Sequence, residues 1–103
     1  MKVKKQKETK KDEFRQNKDT LHPAYIYAKV GNTLKYIGIT HSEITDGVKN
    51  IKLEKNPNPK DSKSAFFRPK TEQSSTNRFK KKEVGWKLSK KDKETANKIK
   101  NKK

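Results

Sequence analysis

The chain has 103 residues, 29 of them Lys or Arg and 12 Asp or Glu, for a formal charge of +17; 26% are hydrophobic and 40% charged. That length holds one small domain and excludes an enzyme with separate cofactor and substrate domains. The absence of cysteine excludes disulfides, thiolate zinc sites and cysteine nucleophiles, and two histidines alone do not complete a structural zinc site.

No apolar run approaches the roughly 20 residues that cross a bilayer, and no apolar core follows the basic N-terminal residues as it would in a secretory signal. The expectation is a cytoplasmic protein, without membrane attachment, that meets a polyanion. The charge is uneven. Residues 1–19 carry a net +4, residues 20–59 a net +2 and residues 60–103 a net +11. A magnitude of about 2–8 keeps a small domain soluble, so the excess points to a ligand such as nucleic acid.

Residues 1–19 hold only Val3 and Phe14 as strong apolar side chains. So little burial does not offset the entropy of ordering, and the segment is expected to be a basic, flexible N-terminal arm. Pro23 to Val30 is rich in Tyr, Ile and Val and reads as a strand whose first residue is the proline. Gly31-Asn32 is a two-residue hairpin turn, and Thr33 to His41 is the second strand. Pairing Val30 with Thr33 sets Ile26 opposite Ile37, Ala24 opposite Ile39 and Tyr27 opposite Tyr36. It also sets His22 opposite His41. A three-residue loop would instead bring His22 to Ser42.

Asp46-Gly47 is a turn, and Val48 to Leu53 reads as a third strand. The Asn56–Asp61 stretch contains two Asn-Pro steps and is a loop. Ser64 to Arg68 is a fourth strand ended by Pro69, and polar residues 70–78 form a loop. Phe79, Val84, Trp86 and Leu88 give a further strand or an irregular packed segment. Ser89, with Asp92 three residues on, caps a helix over residues 90–99, and residues 100–103 are a basic tail. The fold expected over residues 20–99 is mostly β with a C-terminal helix: a small SH3-like barrel or a strongly bent antiparallel sheet, with basic flexible termini.

Tyr25-Ile26-Tyr27 and Tyr36-Ile37-Gly38 resemble the paired tripeptides of GIY-YIG nucleases, which use a catalytic Arg on the next helix and a Glu metal ligand. Here the first tripeptide lacks its Gly, eight residues separate the two, and the next Arg is Arg68, beyond both Asn-Pro steps.

A broader resemblance covers residues 21–99. His22-Pro23-Ala24-Tyr25-Ile26-Tyr27, a Gly-Asn turn, Ile37-Gly38-Ile39-Thr40-His41-Ser42, Ser64-Ala65-Phe66-Phe67 and Gly85-Trp86-Lys87-Leu88-Ser89 are similar in order and spacing to MazF/PemK-like proteins. These are SH3-like barrels that include endoribonuclease toxins, often homodimeric and paired with an antitoxin. The family's Arg before the proline is His22 here. Its Thr is Thr40, followed by His41 and Ser42.

RNA cleavage of this type attacks the phosphate with the neighbouring 2′-hydroxyl. It needs a base, an acid and a cation. The resemblance implies His22, Thr40, His41 and Ser42 as catalytic residues, with His22 and His41 as acid and base. The cations expected on the nucleic acid are Lys35, Arg68, Lys70, Arg78, Lys80, Lys81, Lys82, Lys87, Lys90 and Lys91.

Three functions fit these features. One is a basic RNA-binding module, RNA being favoured over DNA. Another is a metal-independent endoribonuclease of the toxin–antitoxin kind. The third is a non-catalytic accessory or inhibitor that binds a protein of a nucleic-acid-processing complex. No motif points to a metal, nucleotide or flavin cofactor.

Overall fold

A computed structural model describes residues 7–101. In chain order the elements are β1 (Glu8–Gln16), β2 (Pro23–Val30), β3 (Thr33–Thr40), β4 (Ile44–Thr45), β5 (Val48–Lys49), β6 (Ile51–Lys52), β7 (Phe66–Ser75), a single 3₁₀ turn (Thr76–Arg78) and α1 (Lys90–Lys100). Five strands form an antiparallel sheet in the order β1-β2-β3-β7-β6, and β4 pairs with β5 as a separate small hairpin. The protein is thus mostly β with one C-terminal helix, as expected, but the sheet is open and does not close into a barrel.

The β2–β3 hairpin forms where the sequence places it. Gly31 has φ of +57°, which a glycine at the first turn position adopts without Cβ strain. Val30↔Thr33, Lys29↔Leu34 and Ala28↔Lys35 follow the anticipated register. A bulge at Tyr27 then shifts it by one residue, giving Ile26↔Tyr36, Tyr25↔Ile37 and Ala24↔Gly38 in place of the expected partners. The shift has a physical cause: both faces of this sheet are covered, so both need apolar side chains. Unbulged, β2 and β3 would direct Ala24, Ile26, Ile37 and Ile39 to one face together. With the bulge, Tyr25, Ile37 and Ile39 join Phe14 and Phe67 beneath the helix residues Ala96 and Ile99, while Ala24 and Ile26 join Leu34 and Phe79 on the other face.

Residues 8–16 are a paired strand, which corrects the expectation of a flexible arm there; residues 1–6 lie outside the described residues. Two contributions outweigh the ordering entropy. β1 pairs with β2 along nearly its whole length, and Phe14 is 1% exposed, packed on Tyr25 and Trp86. The outer edge of β1 is covered in turn. Lys18 N–H donates to Arg78 O, Lys80 N–H to Gln16 O and Glu83 N–H to Phe14 O. Of the residues expected to pack in this irregular stretch, Phe79 and Leu88 are buried and Trp86 lies against the core, whereas Val84 is exposed.

The expected third strand is two. Val48–Lys49 pairs with β4, and Ile51–Lys52 pairs with Phe66–Phe67, with buried Asn50 at the change of partner. Pro69 does not end the fourth strand, and residues 70–75 are strand, not loop. Between Ile37↔Thr71 and Ile39↔Phe67 the β7 side carries extra residues, and this bulge holds the proline where no ladder N–H is required. The helix matches its expected start, with Ser89 Oγ accepting from Asp92 N–H at 3.1 Å, and runs one residue further than expected. Lys100 is therefore helical and Asn101 caps the end, so residues 100 and 101 are not a free tail; residues 102–103 lie outside the described residues. No helix among the described residues is long and apolar enough to cross a membrane.

Candidate functional site

The sheet face opposite α1 carries a cleft of about 320 Å³. Its floor is Gly38, flanked along β3 by Tyr36 and Thr40. Arg68, Lys70 and Glu72 stand on β7, and His22 stands on the β1–β2 connection. Of the sequence-expected site residues, His22, Thr40, Arg68 and Lys70 come together here.

His22 is held by a tight loop. Asn17 Oδ1 accepts from Asp19 and Thr20 N–H, Asn17 N–H donates to His22 O at 3.0 Å, and His22 N–H donates to Thr20 Oγ1. Closing it requires Leu21 at φ +63°, a left-handed conformation that costs a non-glycine residue about 1–2 kcal/mol. Leu21 recovers little by packing, being 53% exposed.

Arg68 is fixed from two sides. Its stem crosses Gly38 so closely that a Cβ there would lie 3.1 Å from Arg68 Cγ. Its Nη1 donates to Asn50 Oδ1 at 3.2 Å. Asn50 is 4% exposed and anchored in turn, donating from Nδ2 to Ser42 O and Thr45 Oγ1, and from its backbone N–H to Glu43 O. The guanidinium is therefore oriented by a neutral amide, and the Glu72 and Asp46 carboxylates that line the same cleft form no ion pair with it. No ion pair among the described residues engages Arg68, Lys70 or Glu72.

Tyr36 packs edge-on against Phe79, with ring centroids 5.0 Å apart. Burial, reinforced by the Glu72 carboxylate opposite it in register, pushes the Tyr36 hydroxyl above its usual range, while Arg78 acts the other way. The phenol therefore stays neutral and able to donate a hydrogen bond.

His41 is elsewhere. It lines a second, smaller cleft with Trp86, Asn56 and Asp61, and its Nε2 lies 2.7 Å from Asp61 Oδ2. The Lys63 backbone N–H and His41 hold the Asp61 carboxyl below its ordinary range. The two imidazoles consequently line different clefts, with Thr40 on the wall between them. Ser42 lines neither; its N–H donates to Thr40 Oγ1 and its carbonyl accepts from Asn50.

The remaining cations divide by position. Lys80, Lys81 and Lys82 follow Phe79 out of the cleft along the β1 edge and are exposed. Lys87, Lys90 and Lys91 are exposed around the start of α1. Lys35 is paired with Glu8 at 2.8 Å, which raises the lysine's pKa and lowers the glutamate's. Arg78 lies 3.9 Å from Asp19. Sequence reasoning passed over Glu72 and gave Tyr36 no role at the site. The alternation that sends Tyr36 and Gly38 to one face was the available signal, but the bulged β7 that delivers Glu72 was not visible. The chain matches no protein-family model, no curated protein and no solved structure.

Proposed function

We propose that this is a cytoplasmic RNA-binding protein that seats a single strand in the Arg68–Lys70 cleft and continues it over Lys80, Lys81 and Lys82. The observation that carries the reading is charge left unpaired in a shaped place. Among the described residues only Arg15, Lys35, Arg78 and Lys93 lie within ion-pair distance of a carboxylate, apart from His41 on Asp61. The cleft walls and the rim leading from them keep their cations free. A cleft of about 320 Å³ lined by a tyrosine suits a strand whose bases are splayed out better than a duplex. The similarity of residues 21–99 to MazF/PemK-like proteins favours RNA over DNA.

Titration of a fluorescent mixed-sequence single-stranded RNA tests this. Affinity falls with salt by about 0.7 log unit per log salt for each phosphate contact. Reversal of Lys80, Lys81 and Lys82 to Glu lowers both the affinity and the slope. Salt-independent binding, or an unaffected triple variant, would overturn the reading.

A further inference from the structure

We infer that the smaller cleft, lined by Trp86 and the His41–Asp61 pair, takes one pyrimidine base of the strand whose backbone lies in the Arg68–Lys70 cleft. The inference rests on the RNA-binding reading. Its starting observation is adjacency. Pro23, Ile39 and Thr40 line both clefts, so a single layer of side chains separates them. A base and its own phosphate are joined through one ribose, a linkage that spans such a wall. The smaller cleft holds about 110 Å³. Pockets that enclose a whole small molecule hold about 300–1,000 Å³, so this one takes a part of a larger ligand. Its size suits the single ring of a pyrimidine better than the fused rings of a purine.

The lining defines the occupant. Its ionisable groups are His41 and Asp61, which face each other with Nε2 2.7 Å from Oδ2. Neither Lys nor Arg lines it, so a phosphate here would meet the Asp61 carboxylate with no lysine or arginine to offset it. Arg68 and Lys70 line the other cleft, together with Asp46 and Glu72. A neutral ring with a polar edge is what the smaller cleft accepts. Trp86 provides the flat surface. It is half-buried and held against Phe14 with ring centroids 5.8 Å apart, so it is in place before a ligand arrives. Two donors remain for the carbonyl oxygens of a pyrimidine. Thr40 Oγ1 accepts from Ser42 N–H at 3.2 Å and keeps its own O–H to donate. Asn58 Oδ1 accepts from Lys60 N–H at 2.9 Å, which leaves the amide nitrogen to donate. Asn56, by contrast, is engaged at both ends within its loop, accepting from Asn58 N–H and donating to Lys63 O. Leu21 also lines the cleft, 53% exposed and at φ +63°. Such strain is characteristic of ligand clamps, and this leucine gains its burial when a base enters.

The chain has one tryptophan, so its emission reports on this cleft. The full chain is titrated with single-stranded RNA oligonucleotides of one length: all-pyrimidine, all-purine and abasic. Affinity is measured in parallel by anisotropy. The pyrimidine strand quenches Trp86 and binds at least about fivefold more tightly than the abasic strand, the lower bound for one stacked base. The purine strand quenches less and binds more weakly than the pyrimidine strand. Free uridine and cytidine at the same base concentration leave the emission unchanged, because the backbone contacts bring the base to the cleft. Leu21→Gly and Leu21→Asn both adopt a positive φ readily. Circular dichroism melts verify that they fold, and both lower the pyrimidine affinity toward the abasic value. Equal affinity for pyrimidine and abasic strands with unchanged emission overturns this inference and leaves the binding reading standing. A preference for purine, or pyrimidine affinity untouched in both folded Leu21 variants, does the same. Quenching by a free nucleoside as strong as by the strand overturns the tie between the two clefts. Absence of binding to every strand overturns both readings.

Discussion

Arg68 lies across the backbone of Gly38, its Cγ 3.1 Å from where a Cβ on that glycine would stand. The missing Cβ is what lets an arginine of β7 reach sideways to Asn50 at 3.2 Å while still lining the cleft. Gly38→Ala should displace the stem. The stability cost is expected at the low end of overpacking, about 1 kcal/mol, because the stem is flexible. The affinity cost is expected to be larger, about tenfold for RNA, since hydrogen bonds to a charged group contribute about 1.5–3 kcal/mol. Thermal melting and RNA titration separate the two. Unchanged affinity in the folded variant would show that the cleft does not depend on this placement.

Phe14 ties the N-terminal strand to the core. It is 1% exposed and contacts Tyr25 and Trp86 at ring-centroid distances of 5.3 and 5.8 Å. Phe14→Ala should cost about 3–5 kcal/mol, a large share of the stability of any small domain. Deleting residues 1–19 should abolish the cooperative melt, because β2 loses one of its two neighbours and the helix-side core loses Phe14. A truncated chain that melts cooperatively would restore the flexible-arm reading of residues 8–16.

The local signals in the sequence were legible and the long-range ones were not. Gly31-Asn32, Ser89 and the Tyr/Ile-rich runs each announce an element through contacts with near neighbours, and each element formed in place. The bulges at Tyr27 and around Pro69 arise because the sheet must be covered on both faces and bent, a requirement no single strand carries in its own residues. β1 was missed for a related reason: its order comes from backbone pairing with β2 and one buried ring, and hydrophobicity summed over the segment records neither. For the site, the Thr40–His22 proximity followed from the hairpin, whereas Glu72 reached the cleft only through the irregular register of β7.

Asp92 does not complete the reciprocal cap that its spacing from Ser89 suggests. Its carboxylate accepts instead from Glu54 N–H at 2.8 Å and Lys55 N–H at 3.2 Å, while 1% exposed. It therefore fastens the start of α1 to the chain leaving β6. Asp92→Ala strands two backbone donors and should cost about 3 kcal/mol, since each unsatisfied buried group costs about 1–3 kcal/mol. Ser89→Ala removes only the cap and should cost about 1 kcal/mol. Chemical denaturation of both variants checks the ranking; equal losses would mean that the Asp92 contacts are solvated in the folded protein.

Alkaline pH should unfold this protein through Tyr25. Burial, together with the hydrogen bond from its hydroxyl to Asp12 Oδ1 at 2.9 Å and that carboxylate's charge, pushes the Tyr25 pKa far above the ordinary tyrosine range. Asp12 is itself shared, lying 3.5 Å from Lys93 of the helix, so the phenol is part of a link from β2 through β1 to α1. Because the folded pKa is raised, the contribution of Tyr25 is fully present below the unfolded value of about 10. Above that pH the unfolded chain gives up the proton and the folded chain keeps it, so stability falls as pH rises. Tyr36, raised by burial and Glu72, acts in the same direction. Tyrosinate absorbance followed alongside far-ultraviolet circular dichroism should show late ionisation that coincides with loss of the sheet. Tyr25→Phe keeps the ring and loses the hydroxyl. It should cost about 0.5–1.5 kcal/mol at neutral pH and make the alkaline loss of stability less steep. Ionisation of all three tyrosines near pH 10 with the sheet intact would refute the Tyr25–Asp12 arrangement.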